Sequence, residues 1–272
     1  ITALITYFVG IRSVIRQHDI QLKREQAFKY FLPLKFSADE LYYRLAHIEK
    51  NIEEPEKAKE QLSKHQLPLS FEGKNFEWYF TDWLDENDVN KGAGGYFLTT
   101  TVFMHAQLYH RINLILEEYP FLNVRLKHSF NEYILGLEDN QVTRCFNEAS
   151  KDEHTKKYIN IEELSALKGR IKLEIVIKFI RLAAVFKGGI PYGLQPAFGQ
   201  FIEKSSKNKG EQINYEEFVR ILMDKEQRPK FAPLCNFYIN LVDKDFTVNK
   251  TKLVKLRALM IALLIFREAE LV

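Results

Sequence analysis

Cysteine is nearly absent from this chain. There are two in 272 residues, Cys145 and Cys235, far apart and in no CxxC pair. A disulfide framework is therefore excluded. Both stand beside apolar residues ("RCFNE", "PLCNFY"), the setting of buried reduced thiols, which points to a reducing compartment. Charge of one sign is scarce too: 39 Lys and Arg face 36 Asp and Glu, leaving +3. The electrostatic footprint of a nucleic-acid binder is missing, so no nucleic acid is expected as partner.

Catalytic signatures are also missing. The sequence holds no G-x-S-x-G, no H-E-x-x-H and no Cys–His nucleophile arrangement. It lacks the Glu-x-x-His pairs of a carboxylate-bridged di-iron site. His105 and His110 are five apart, about 140° around a helix, and do not share a face; Glu40 and His47 do. "KGAGGYFLTTT" places Gly92, Gly94 and Gly95 before a helix, where backbone N–H groups could cradle an anion. It lacks the P-loop's closing Gly-Lys-Ser/Thr and follows no strand, so it reads as a linker. No cofactor is implied.

What is present is helical. Apolar residues make up 46% and charged residues 28%, ordinary globular values, and phenylalanine is abundant at 21 copies. A chain this long can bury roughly 75% of its unfolded surface, and the phenylalanines predict an aromatic-rich core.

The N-terminus carries the clearest signal. Ile1 to Ile11 is an almost unbroken apolar run, followed by Arg12, Arg16, Lys23, Arg24 and Lys29 against Asp19 and Glu25. Eleven residues fall short of the roughly 20 that span a bilayer as helix. An apolar helix with a basic flank is what a span leaving the membrane on its cytoplasmic side looks like. Residues 1–11 are read as the remnant of a transmembrane helix, and 12–34 as a basic juxtamembrane helix. The alternatives are a hydrophobic helix buried in the domain and, fitting badly because the basic residues follow the apolar run, a signal-peptide h-region; pairing of the N-terminal helix with a second copy is a further expectation.

Two helical regions follow, 35–148 with an aromatic linker and 149–272. Pro33 is expected to end the first helix, and Ser37 with Glu40 to cap the second. Leu41, Leu45, Ile48 and Ile52 then recur at helical spacing. Phe76, Trp78, Tyr79, Phe80 and Trp83 form an aromatic knot in the linker, and Pro120 closes a long central helix. "VRLKHSFNEYILGLEDNQVTRCFNEA" is expected to add one or two helices. Residues 171–179 alternate as a strand would, yet suit a buried helix, which is preferred. The run Ala258 to Phe266, between Arg257 and Arg267, is read as a core helix. The predicted class is mainly all-α: an irregular multi-helix bundle, with a small β element near 171–179 left open.

One loop carries a recognisable pattern. In "SKNKGEQINYEEF", Ser206 to Phe218, an EF-hand register puts Ile213 at the eighth position, Asn214 at the ninth and Glu217 at the twelfth. From Gln212 onward it closely resembles calmodulin-like EF-hands. The core "[IV]-N-x-x-x-[LF]" returns at 152–164 and at 243–253. The resemblance implies degenerate helix-loop-helix units that kept the shape and lost the ligands. In the best of them only Asn208, Asn214 and Glu217 are candidate metal ligands, and Gly210 and Glu211 stand where an oxygen and the turn glycine belong. The other reading is a plain helix start, with an Asn cap and a Glu three residues on.

The function expected is a membrane-tethered cytoplasmic helical interaction or sensing module, non-enzymatic, with a protein partner the sequence does not name. A degenerate calcium-type regulator and an enzyme without a recognisable motif are the alternatives.

Overall fold

The structure is a computed structural model; it describes residues 2–53, 89–119, 122–128, 132, 169–185, 190–204, 210–239 and 250–272. Eight α-helices and one small antiparallel sheet account for most of it. In chain order they are α1 (Thr2–Gln26), α2 (Leu32–Glu53), α3 (Val89–Glu118), β1 (Asn123–Leu126), β2 (Gly169–Lys172), α4 (Leu173–Ala183), α5 (Gln195–Phe201), α6 (Tyr215–Met223), α7 (Ala232–Ile239), α8 (Lys250–Glu268) and β3 (Glu270–Leu271). The all-α class holds.

Helix α3 is the axis. It is apolar on most sides, and Val102, Ala106, Leu108, Tyr109, Ile112 and Ile115 are buried. Helices α2, α5, α6 and α7 all pack on it, and α8 lies against α2 and α4. Residues from both halves of the chain, Phe31 to Ala269, join one hydrophobic cluster. The predicted stripe on α2 is buried at Leu41, Leu45 and Ile48 and extends back through Leu34 and Ala38. The run Ala258 to Phe266 is core as expected: Leu259, Ala262, Leu263 and Phe266 have no exposed surface. A half-buried ion pair ties α8 to α2, Arg257 Nε to Glu49 Oε1 at 2.6 Å.

Three local expectations are corrected. Pro33 does not end the first helix. The chain runs from α1 through a π-helical turn, Ala27–Phe31, into α2. Proline's ring clashes with the carbonyl four residues back, here Lys29. The wider π turn relieves that clash and leaves Pro33 in the first turn of α2, where a missing N–H costs little. Ser37 and Glu40 therefore lie inside α2 and cap nothing at its start. The glycines Gly92, Gly94 and Gly95 belong to the first turns of α3, not to a linker.

The third correction concerns the sheet, whose order is β2-β1-β3. Val124 to Leu126, expected as helix, is its central strand. Val124 faces Ile171 on one side and Leu271 on the other. The β element near 171–179 is confined to 169–172, and from Leu173 onward the chain is helix. Both patterns in that stretch were real: Ile171 is buried on the sheet, and Val176, Ile177 and Ile180 are buried on α4. The aromatic knot, Cys145 and the repeat at 152–164 lie outside the described residues.

Candidate functional site

The stretch that resembles an EF-hand in sequence is bounded by helices α5 and α6. These helices are fixed by aromatic packing: Phe198 of α5 stacks on Tyr109 at 6.2 Å, and Phe218 of α6 lies 5.0 Å from Phe103, both on α3. Phe231 joins the two, 6.3 Å from Phe198 and 5.1 Å from Phe218. Gly199 lets α5 touch the α3 backbone.

Within the loop the expected ligands have other work. Asn214 caps α6, accepting from Glu217 N at 2.8 Å, while Glu217 Oε2 accepts from Asn214 N at 2.9 Å. That is a complete capping box; losing such a cap costs about 1 kcal/mol. Lys204 Nζ approaches the same Glu217 oxygen at 3.7 Å, so a side-chain cation already sits by that carboxylate. Ile213 donates its N–H to Ile202 O at 2.8 Å, within the unit, and Lys204 donates to Glu211 O at 2.8 Å. Gly210 makes the turn at φ +93°, a left-handed conformation that suits glycine. Asn208 lies outside the described residues. Among the described residues no three His, Cys, Asp or Glu side chains gather as around a metal ion.

The two histidines of α3 point apart, as five-residue spacing requires. His105 Nδ1 meets Tyr238 Oη at 2.6 Å and its ring stacks on Tyr109 at 4.6 Å. All three are buried. Burial pushes the His105 pKa down to about 3, so the ring is neutral, and raises the phenols of Tyr109 and Tyr238. His110 Nε2 reaches the Gly210 carbonyl at 3.4 Å. Sequence reasoning left this polar core unassigned; a Tyr on α7 completes it, from 133 residues away.

The other end of the molecule is different. Among the described residues, helix α1 packs to any extent only on the π turn that follows it. Every described residue from Gly10 to Leu22 is exposed. Among these are Ile11, Val14, Ile15, Ile20 and Leu22, with Val14 66% and Ile15 55% exposed. Ile11, Ile15, His18 and Leu22 follow a four-three-four spacing, one apolar line interrupted by one imidazole. Arg12 and Arg16 flank that line and are exposed; Lys23 and Arg24 lie further along the same helix. No family model, curated protein or solved structure matches this chain. The function therefore rests on this geometry alone.

At its root α1 is held firmly. Phe31 packs edge-on to Phe266 of α8 at 5.7 Å, and Tyr30 lies 4.8 Å from Tyr119. Phe28 and Phe36 beside this clasp stay 72% and 68% exposed. Among the described residues no helix is long and apolar enough to cross a membrane.

Proposed function

We propose that this chain is a helical interaction module held at a membrane by α1, with the apolar N-terminal turns in the bilayer and the domain on the cytoplasmic side. The observation that carries it is a helix of 25 residues whose described apolar side chains, from Ile11 to Leu22, stand in solvent. A soluble domain rarely leaves such a line uncovered without a partner for it. Thr2 to Ile11 of the apolar run belong to the same helix, and the basic residues follow them on the domain side. That order matches a cytoplasmic flank. The clasp at Tyr30 and Phe31 makes α1 a strut that fixes the orientation of the domain.

The apolar line is solvent-exposed, so polar substitutions there leave the fold intact. Ile11→Ser with Ile15→Ser and Leu22→Ser is expected to weaken co-sedimentation of the full chain with phosphatidylcholine vesicles, with the melting temperature unchanged. Each buried side chain of this size contributes about 1.5–3 kcal/mol. Binding equal to that of the wild type would remove the exposed line Ile11, Ile15, Leu22 from the attachment.

A further inference from the structure

The solvent face of the three-stranded sheet is cationic. Alternation buries Val124, Leu126 and Ile171 and turns Arg125, Arg170 and Lys172 outward. The register sets Arg125 directly opposite Arg170. Like charges in that position destabilise a sheet, and strands of four, four and two residues have little pairing to spare. Glu270 faces Arg125 from the other side and approaches Lys127 at 3.7 Å. Among the described residues of the three strands, Glu270 is the one carboxylate, and it stands beside Arg125 and Lys127, across β1 from Arg170 and Lys172.

The patch has a defined place. Lys35 backs it, donating to Ala269 O at 2.8 Å beside β3. Burial lowers the Lys35 pKa, and Glu270 and Lys127 both lie within its electrostatic reach. Lys35 is four residues past the π turn, so the cationic face stands where α1 leaves the domain.

We propose that this sheet face binds the phosphate-bearing headgroups of an anionic membrane, docking the domain on the surface to which α1 attaches it. The inference rests on the reading of α1 as the membrane helix and adds a second, electrostatic contact. Charge complementarity selects the occupant. The net charge of +3 over the whole chain is too small for the extended footprint of a duplex. A few arginines and lysines on a short flat face suit a headgroup layer, where each raises affinity roughly fivefold.

The test uses the full chain with Arg125→Gln, Arg170→Gln and Lys172→Gln together. Phosphatidylcholine vesicles, with and without phosphatidylserine, are floated with wild type and variant. Expected is a loss of about 100-fold on the serine-containing vesicles, with binding to the neutral vesicles unchanged. The melting temperature should hold or rise, because the Arg125–Arg170 repulsion is gone. Variant binding equal to wild type on anionic vesicles overturns the inference and leaves α1 attachment standing. Absence of wild-type binding to neutral vesicles counts against α1 instead. Tighter wild-type binding to a DNA duplex than to anionic vesicles would also overturn the lipid assignment.

Discussion

Gly199→Ala is expected to destabilise the protein by about 3 kcal/mol, the opposite of what alanine does in an exposed helix. A Cβ at Gly199 would stand 2.5 Å from His110 N and 2.7 Å from both His110 Cα and Tyr109 C. These are backbone atoms of α3, so no rotamer change can relieve the clash. Either α5 moves away, opening the contact of Phe198 with Tyr109, or α3 deforms. In an exposed helix interior the same change would stabilise by about 1 kcal/mol. Gly193→Ala is the control: nothing lies within 4 Å of its Cβ, and its effect should stay within about 0.5 kcal/mol. Urea midpoints of the two variants decide. An unchanged or raised midpoint for Gly199→Ala would show that α5 does not cross α3 as described.

The second large effect is acid sensitivity. His105 titrates near 3 in the folded protein, because burial disfavours its cation, and near the ordinary 6.5 when unfolded. Between those values the unfolded chain binds a proton that the folded chain refuses. Stability is therefore fully present above about pH 6.5 and falls as pH drops toward 3, by about 1.4 kcal/mol per pH unit. His110, also lowered by burial, adds a contribution of the same sign. The difference between wild type and a His105→Phe, Tyr238→Phe double variant isolates His105. Replacing both partners by apolar rings of similar shape leaves neither half of the His105–Tyr238 pair without its partner and is close to neutral at pH 7. The double variant should lose the His105 share of the slope. Parallel stability–pH curves would refute a buried neutral His105. Tyr238→Phe alone leaves His105 Nδ1 without its phenol and should cost about 1–3 kcal/mol.

Much of the fold was legible because its signals are local. Nine apolar residues between Arg257 and Arg267 announce a core helix, and Asn214 with Glu217 announces a helix start. Both follow from neighbours within a few residues. The sheet was not legible, because Val124 pairs with Ile171 and Leu271, far along the chain. Four residues of alternation do not declare a strand without those partners. The start of α3 was hidden for the opposite reason: Gly92, Gly94 and Gly95 have poor helix propensity, yet the chain is helical from Val89. At the site, the apolar run and basic flank of α1 were visible in the sequence. That Ile11, Ile15 and Leu22 stay in solvent was not, because burial depends on what the rest of the chain places alongside. The cationic sheet face was hidden with the strands that make it.

Membrane fractionation after an alkaline carbonate wash tests the central claim most directly. The protein is produced in cells from its own gene, and the washed membranes are probed for it. Carbonate strips proteins held by charge alone, so the sheet contact does not survive it while an inserted apolar helix does. The account predicts that the protein stays with the washed membrane. Full release into the supernatant would contradict attachment through α1, and the exposed line Ile11, Ile15, Leu22 would then belong to a contact with another protein chain.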